Sequence, residues 1–416
     1  MQKGNIIVGI DIGSSNVCTV IAQSLSDAEF PRVIGVGIAP AAGIRKGMII
    51  DVEEATKSII ESVEKGERMA GVTVKRATVS VCGTEIAFQE SKGVVAIGRA
   101  DGEVTEDDID RVIKDAQHVS IPLNREIIHL IPKNYRLDDQ DNLKDPLGMK
   151  GVRLEVNALV IEGSSTQMKN LKKAVEQAGI EVEDVILEPL ATAKSVLDKK
   201  QRELGVVVVN IGGATTSLAV FEEGDLLHTA IIPVGAGHVT NDVAICIRTS
   251  IEVAEKIKLE YGSALAKEFS KREEIDLTAV DSRESGAVSR YHVAEIIEAR
   301  MTEIFGMLNK ELKRIGKAEL LPAGVVLTGG GAKLPQVVEL AKDIFRLPVQ
   351  IGYPVKLGGV MDKVDDPSFS TVVGLIMWEK EKESLTQGSG MLQGASGWLR
   401  EGYKKMEHLI GKFLPS

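Results

Sequence analysis

The fold is decided by two stretches of this 416-residue chain, Gly9-Ile-Asp-Ile-Gly-Ser-Ser-Asn16 and Val209-Asn-Ile-Gly-Gly-Ala-Thr-Thr216. A short β-branched run, typical of a buried strand, lies at or just before the start of each stretch. The run at 6–8 comes directly before the first stretch, and the run at 206–209 leads into the second. A Gly/Ser/Thr turn at the end of a strand can wrap phosphate oxygens with backbone N–H groups and hydroxyls. One such turn is common, but two copies in matching register predict two phosphate loops that face one nucleotide.

A second apolar strand follows each loop, so each copy is predicted to be strand, turn, strand. Aligning the copies pairs Asp11 with Asn210 and Gly13 with Gly212. In a dinucleotide-binding fingerprint or a Walker loop, the Gly-rich turn is followed by a helix and not by a strand. The chain also has no Gly-Lys-Ser/Thr, so neither motif is present. The two hairpins are similar to those that close on ATP in the actin, Hsp70 and sugar-kinase superfamily. That resemblance implies an α/β, two-lobed actin-like (ribonuclease H-like) ATPase fold.

Composition excludes several other classes of protein. A hydrophobic content of 44% supports two sizeable cores, and a net charge of −10 with a pI of about 5.4 argues against a nucleic-acid partner. The cysteines Cys18, Cys82 and Cys246 are isolated and lack zinc-ligand spacing, which favours a reduced cytosolic protein. No run of 18 apolar residues occurs, so neither secretion nor a membrane span is predicted.

The pattern along the chain predicts several segments. Helical periodicity covers 51–69 and 164–178, whereas short strands at 93–97, 126–131 and 153–161 surround one helix that Thr105-Glu-Asp-Asp108 opens. A polar run at 198–203 separates the two halves. We therefore expect a lobe I core at 5–83 and 163–200, an inserted α/β subdomain at 84–162, and lobe II at 205–378 with its outer part at 263–316.

Two further elements in lobe II are suited to the rest of a nucleotide. A third apolar strand ends in a Gly-rich turn at 324–332, followed by a predicted helix at 334–345, and glycines there let the backbone approach a flat ring closely. On a predicted helix at 239–261, Glu255 and Lys258 lie three residues apart and so share one face. Beside three Gly turns, these two side chains are better interpreted as a ribose contact than as a solvated ion pair.

A more specific resemblance is to the bacterial cell-division protein family FtsA. It is carried in order by Gly9-Ile-Asp-Ile-Gly13, Glu126-Ile-Ile-His-Leu-Ile-Pro132, Asp145-Pro-Leu-Gly-Met-Lys-Gly-Val-Arg-Leu154, Val239-Thr-Asn-Asp-Val-Ala244, Ile251-Glu-Val-Ala-Glu-Lys-Ile-Lys258 and Leu327-Thr-Gly-Gly-Gly331. The insert singles out this family, because actin and MreB place their extra subdomain elsewhere. The resemblance implies an ATP-binding protein that polymerises, binds the FtsZ C-terminal peptide and other division proteins, and holds the FtsZ ring to the inner face of the cell membrane at the septum.

The resemblance also implies roles for individual residues. Asp11 would lie near Mg²⁺, and Glu188 would orient the attacking water. The implied nucleotide contacts are Gly13, Ser14, Ser15, Asn16, Gly212, Gly213, Ala214, Thr215, Gly237, Glu255, Lys258, Gly329, Gly330, Gly331 and Ala332.

This chain departs from the family's usual pattern at the site. Asn210 stands where the family usually has a catalytic Asp, and Ala214 replaces a usual Gly. Asn16 and Cys18 occupy places where relatives frequently carry Lys. A neutral amide supplies no charge to a metal site, so we expect ATP binding with slow hydrolysis.

The C-terminal part is predicted to bind membrane. A flexible linker composition covers 379–397, and 398–414 forms an amphipathic helix. Its apolar arc of about 160° suits a lipid interface better than docking on the chain's own lobes. The arc contains Trp398, Leu399, Tyr403, Met406, Leu409, Ile410, Phe413 and Leu414.

A partner site is predicted in the outer part of lobe II. There a helix at 291–312 would present Arg300, with Lys310 and Lys313, to the FtsZ peptide. Ile297 and Ile304 would supply apolar contacts nearby.

Rival functions remain on the same fold. A small-metabolite kinase would need a catalytic Asp and a substrate cleft, and it would not explain the amphipathic terminus. A type IV pilus assembly protein shares the architecture, but a pilus partner would recruit it without such a terminus. Hsp70 is disfavoured because no β-sandwich domain follows lobe II.

Overall fold

The computed structural model of the chain describes residues 4–25 and 28–387. The strands there are β1 (Asn5–Ile12), β2 (Asn16–Ser24), β3 (Arg32–Pro40), β4 (Ile44–Arg45), β5 (Met48–Ile49), β6 (Arg76–Val81), β7 (Ala87–Ala96), β8 (Arg125–Leu137), β9 (Gln140–Leu143), β10 (Arg153–Ser164), β11 (Glu181–Leu187), β12 (Val206–Ile211), β13 (Thr216–Glu222), β14 (Asp225–Ile232), β15 (Glu274–Asp276), β16 (Ala287–Ser289), β17 (Gly324–Thr328), β18 (Val349–Ile351) and β19 (Gly358–Gly359). The α-helices are α1 (Val52–Ala70), α2 (Glu106–Ala116), α3 (Ser165–Gln177), α4 (Glu188–Val196), α5 (Lys199–Leu204), α6 (Ala236–Ile247), α7 (Ile251–Tyr261), α8 (Leu277–Val280), α9 (Arg290–Arg314), α10 (Val337–Phe345) and α11 (Ser370–Gln387).

Each lobe is built on a sheet that contains the same three-strand unit. The order in lobe I is β11-β6-β1-β2-β3-β19, and the order in lobe II is β14-β13-β12-β17-β18. β1 is antiparallel to β2 and parallel to β6, just as β12 is antiparallel to β13 and parallel to β17. The repetition confirms the predicted duplication of strand, turn, strand and the two-lobed α/β fold.

The two helices predicted from periodicity in lobe I are present. The Asp51 side chain caps α1 by accepting hydrogen bonds from the N–H groups of Glu53 and Glu54, and α1 ends at Gly71 with φ 68°. Ile59 and Val63 of α1 belong to the buried core of this lobe. α3 covers the second predicted segment with its buried face on the same core.

The predicted insert is a small α/β subdomain with a core of its own. Its sheet has the order β7-β10-β8-β9, and α2 packs on one face. Thr105 and Asp108 form a reciprocal capping box at the start of α2. Ile113 of α2 and Tyr135 and Leu154 of the sheet are almost fully buried together. The three strands run longer than predicted because each pairs along most of its length.

Two predicted segments take a form that the sequence pattern did not indicate. The predicted helix at 239–261 is two helices, because Arg248 adopts φ 58° and Ser250 instead caps α7 through the N–H of Val253. The polar run at 198–203 is mostly the short helix α5, which Asp198 and Gln201 cap reciprocally. Ser250 and Asp198 are both unfavourable inside a helix but favourable as the residue that caps its start.

The chain returns to lobe I before the predicted end of lobe II at residue 378. β19 pairs with β3, and α11 crosses α4 so closely that a Cβ on Gly374 would overlap the carbonyl oxygen of Ala191. Residues 379–387, predicted as linker, continue α11. Two of the acidic side chains in this segment bind lobe I, whereas those of a linker would be solvated. Glu379 accepts a hydrogen bond from the Thr78 hydroxyl at 2.5 Å, and Glu381 forms an ion pair with Lys194.

The remainder of the predicted linker and the whole predicted amphipathic helix at 398–414 lie outside the described residues. Within 4–25 and 28–387, no helix has the length and apolar character needed to cross a bilayer.

Candidate nucleotide-binding site

A cleft of about 1030 Å³ lies between the lobes, and both predicted phosphate loops face it. The structure brings almost every predicted site residue to its walls: Asp11, Gly13, Ser14, Ser15, Asn16, Glu188, Asn210, Gly212, Gly213, Ala214, Thr215, Gly237, Glu255, Lys258, Gly329, Gly330 and Gly331. Ala332 is the exception. It is buried in the core of lobe II beneath the third Gly turn, so its side chain does not line the cleft.

The two loops have matching geometry and touch across the cleft. The Gly13 N–H donates to the Asn16 carbonyl at 3.1 Å, and the Gly212 N–H donates to the Thr215 carbonyl at 3.0 Å. A Cβ on Gly213 would overlap Ser15 Oγ and lie 3.2 Å from Ser15 Cβ, so the two loops meet here at close range. Backbone and hydroxyl donors of both lobes therefore converge on one small region, as binding of a polyphosphate requires.

The start of α6 is joined to the second loop. The N–H of Ala236 donates to the Gly212 carbonyl at 2.8 Å, and the N–H of Gly237 donates to the Gly213 carbonyl at 2.7 Å. The positive end of the α6 dipole thus lies behind this loop, where it favours bound anions. The third Gly turn packs on the same strand end, since a Cβ on Gly329 would overlap Asn210 Oδ1.

Asp11 is a buried acid at the base of the first loop. Ser80 Oγ donates to Asp11 Oδ1 at 2.6 Å and accepts from the Ile12 N–H at 3.0 Å. Burial, with a smaller contribution from the nearby Glu188, raises the pKa of Asp11 to about 7 even though the Ser80 hydrogen bond lowers it. A cation bound in the cleft would therefore be strongly favoured by this carboxylate.

No group of three His, Cys, Asp or Glu side chains in the described part of the chain could hold a metal ion by itself. Mg²⁺ fits the site only in the manner usual for nucleotide enzymes, with phosphates and water as most of its ligands and Asp11 as a nearby acceptor.

Glu188 and Asn210 meet at the centre of the cleft. The Asn210 amide and the Thr192 hydroxyl both donate to Glu188 Oε1, the latter at 2.9 Å. The Cys82 thiol lies 3.7 Å from Oε2. Burial raises the pKa of Glu188, and these hydrogen bonds lower it. One oxygen is thus fixed in a network, and the other can accept a hydrogen bond from a water in the cleft.

Glu255 and Lys258 form one unit on the opposite wall. Lys258 Nζ donates to Glu255 Oε2 at 2.6 Å and to Thr240 Oγ1 at 2.9 Å, and the Thr240 hydroxyl donates to the same carboxylate. Ile251, Leu259 and Met301 also line the cleft. Apolar side chains beside a fixed carboxylate can accommodate a flat base and a ribose hydroxyl.

The sequence interpretation missed the β4–β5 hairpin. This hairpin brings Arg45 of β4 and the turn residues Lys46 and Gly47 to the wall of the cleft beside the first loop. The available signal was a Lys-Gly pair between two short apolar segments, which is typical of a tight hairpin.

The structure does not support the predicted peptide site around Arg300. Asp242 binds its guanidinium group at both Nε and Nη2, at 2.6 and 2.9 Å. The predicted apolar anchors Ile297 and Ile304 are fully buried in the core of lobe II. Arg300 therefore links α9 to α6, and it does not form a free patch with those two residues.

Two lobes with duplicated phosphate loops facing one cleft define the actin-like class of α/β proteins. Two solved structures share the fold: the PilM-PilN type IV pilus biogenesis complex (TM-score 0.64, 15% identity, 89% of this chain and 97% of that chain) and MreB5 of Spiroplasma citri bound to ADP (TM-score 0.54, 17% identity, 93% and 100%). At such identities they support the fold alone.

Family models and relatives are more specific. A model described as "Cell division protein FtsA" matches residues 207–374, and one described as "SHS2 domain inserted in FTSA" matches 83–162. The cell division protein FtsA of Pseudomonas aeruginosa is 41% identical over 397 residues, covering 95% of this chain and 94% of that protein. That of Bacillus subtilis is 39% identical over 378 residues, covering 91% and 84%. The chain belongs to the FtsA family of cell-division proteins, which confirms the resemblance predicted from its motifs.

Proposed function

We propose that this chain binds ATP with Mg²⁺ between its lobes, hydrolyses it slowly, and forms a filament that tethers the FtsZ ring to the inner face of the cytoplasmic membrane at the septum. The observation that supports the nucleotide part is the close approach of Gly213 to Ser15, which brings both loops to one place in the cleft. Family membership supports the role in division.

The roles of individual residues follow from the geometry. The loops hold the phosphates through N–H groups and hydroxyls, and Glu255 accepts from a ribose hydroxyl. Mg²⁺, when bound, neutralises phosphate charge, and Asp11 accepts hydrogen bonds from its waters. Glu188 orients a water through Oε2. Hydrolysis is slow because Asn210 contributes no charge and because the raised pKa of Glu188 makes its ionised form less populated.

Titration calorimetry with ATP, with and without Mg²⁺, tests the nucleotide site. We expect Mg²⁺-dependent binding and a turnover below about 1 s⁻¹, near the low end for enzymes. Asp11→Ala should lose the Mg²⁺ dependence, whereas Asp139→Ala, at an exposed hairpin turn, should not. A wild-type protein that does not bind ATP would refute this part of the proposal.

Membrane attachment is proposed for the terminal segment 398–414. Eight apolar side chains contribute roughly 8 kcal/mol gross, and ordering the helix takes back much of this free energy. A single copy should therefore bind weakly, whereas a filament that presents many copies gains avidity. Membrane attachment and self-assembly are coupled in this proposal.

Sedimentation with anionic liposomes tests the attachment. Because α11 extends to Gln387, the truncated version should end there, so that the folded lobes stay intact. Full-length protein should pellet, and the truncated version and Trp398→Glu/Phe413→Glu should remain in solution. Gln393→Glu/Ser396→Glu adds the same charge to the preceding segment and should still pellet. Pelleting of the truncated version would place the lipid contact elsewhere.

The FtsZ peptide is proposed to bind the outer part of lobe II, at 263–316. This region exposes Lys271, which lies 5.2 Å from the ring centre of Tyr291, and Arg272 beside it. Cations next to an aromatic ring suit a short peptide that carries acids and apolar anchors.

A labelled FtsZ tail peptide tests that placement. It should bind Lys271→Glu/Arg272→Glu at least about tenfold more weakly than wild type, the loss expected for a charge-assisted contact. It should bind Lys199→Glu/Lys200→Glu, on α5, as well as wild type. Equal affinity for all three proteins would remove this surface from consideration.

A further inference from the structure

The tip of the β4–β5 hairpin is wedged beside the first phosphate loop. Lys46 and Gly47 form its turn, both with left-handed backbone at φ 51° and 76°. The Gly47 N–H donates to Ser14 Oγ at 2.8 Å, and a Cβ on Gly47 would come within 2.9 Å of the carbonyl carbon of Cys82. The turn is therefore held at one fixed place between the first loop and the end of β6.

This place is the phosphate end of the cleft. Cys82, against which Gly47 packs, has its Sγ 3.7 Å from Glu188 Oε2 and 3.8 Å from Thr215 Oγ1. Thr215 belongs to the second phosphate loop and Glu188 lies near it beside the same thiol, whereas Glu255 and Lys258 line the wall contributed by α7. A residue on the hairpin turn is thus placed toward the outermost phosphate and away from the base.

Lys46 differs in its pairing from the other lysines of the cleft. Lys258 is bound to Glu255, and Lys333 is bound to Asp366 at 2.5 Å. Lys46 is half-buried in the cleft wall and makes no ion pair or hydrogen bond within residues 4–25 and 28–387. A lysine on the wall of the cleft whose ammonium group has no acidic partner is suited to an anionic ligand.

The first loop itself supplies no cation, because Ser14, Ser15, Asn16 and Cys18 are all neutral side chains. We propose that Lys46 contacts the terminal phosphate of the bound nucleoside triphosphate, so that the hairpin provides the cation that the first loop lacks. This inference rests on the proposed ATP site. It predicts that Lys46 distinguishes ATP from ADP.

Titration calorimetry with Mg²⁺ and either ATP or ADP tests the inference. Lys46→Asn removes the charge but suits the left-handed turn, so the fold should be kept. Its ATP affinity should fall roughly tenfold to a hundredfold, the range for losing one hydrogen bond between charged groups. Its ADP affinity should fall at most about threefold, because the residue would contact only the lost phosphate. Lys46→Arg should restore most of the ATP affinity.

Lys57→Asn, on the exposed face of α1, is the matched control and should bind both nucleotides as wild type does. Wild-type ATP affinity in Lys46→Asn, with an unchanged melting temperature, would overturn the inference. So would equal losses for ATP and ADP. In both cases the proposed site stands, whereas a wild-type protein that fails to bind ATP refutes the proposed function itself.

Discussion

The side-chain amide of Asn210 donates a hydrogen bond to Oε1 of Glu188, although the two residues belong to different lobes. Glu188 begins α4 in lobe I, and Asn210 lies near the end of β12 in lobe II. The hydroxyl of Thr371, at the start of α11, lies 3.2 Å from the same amide nitrogen. The pair carries a single ionisable group, which is why a buried contact between the lobes is tolerated there.

We expect Asn210→Asp to convert this contact into a carboxyl pair that must share a proton. The new acid raises the pKa of Glu188 further, so the variant should bind a proton on folding. Its free energy of unfolding should therefore decrease relative to wild type as pH rises from 5 to 8, by about 1–3 kcal/mol at the upper end. Urea unfolding at the two pH values measures this. Asn241→Asp, at an exposed position in the cleft, should show no such change.

Gly213→Ala should disturb the contact between the two phosphate loops. The added methyl group would overlap Ser15 Oγ and press on Ser15 Cβ, so the Ser15 hydroxyl must turn away from its place in the first loop. We expect at least a tenfold loss of ATP affinity, about 1.4 kcal/mol, with little change in melting temperature. Gly98→Ala, in the inserted subdomain and away from the cleft, is the control, since nothing lies within 4 Å of the Cβ it would add. Equal ATP affinities for the two variants would contradict the contact of the loops.

Gly374→Ala should destabilise the crossing of α11 and α4. Its methyl group would overlap the Ala191 carbonyl oxygen in a buried interface, and such overpacking typically costs about 1–3 kcal/mol. Gly306→Ala, in α9, adds a methyl group with nothing within 4 Å and should stabilise by up to about 1 kcal/mol. Thermal unfolding of both variants checks the signs. A stabilised Gly374→Ala protein would show that the helices are farther apart.

Asp184 should make the stability depend on pH. Burial raises the pKa of this carboxyl from 3.8 to about 7, with Lys382 opposing the rise and Glu379 adding to it. Between these values the folded state holds a proton that the unfolded state has lost, so the free energy of unfolding falls as pH rises. Asp184→Asn lacks this dependence. We expect its stability relative to wild type to increase from pH 5 to pH 8, by at most about 3 kcal/mol.

Chemical denaturation at both pH values measures the effect, and Asp139→Asn, at an exposed hairpin turn, serves as control. The same pH dependence in wild type and Asp184→Asn would show that other groups are responsible.

The parts of the fold that were predictable have local causes. β-branched runs ending in glycine marked both hairpins, and the Thr105 cap marked α2, because strand burial and capping depend on neighbours in sequence. Partners distant in sequence decided the rest. The acidic residues at 379–383 have the composition of a solvated linker. Their partners Thr78 and Lys194 are distant in sequence, so the sequence pattern could not show that these acids are paired in the fold.

The candidate site shows the same division. Asp11 and Glu188 were found from motifs, but Lys46 lies on a hairpin with two-residue strands that have too few residues for any periodicity. Arg300 was misjudged because its partner, Asp242, lies 58 residues away on another helix.

α11 begins beside the candidate site and ends where the described part of the chain ends. Its 18 residues span about 27 Å at 1.5 Å per residue. Between Gly374 and Lys380 it packs on lobe I, through Gly374 on α4, Glu379 on β6 and Lys380 on the end of β2. If the terminus is anchored, lobe I becomes the stationary half of the molecule. Any closure of the lobes around a nucleotide then moves lobe II toward or away from the anchoring surface. A partner bound to lobe II would move with it.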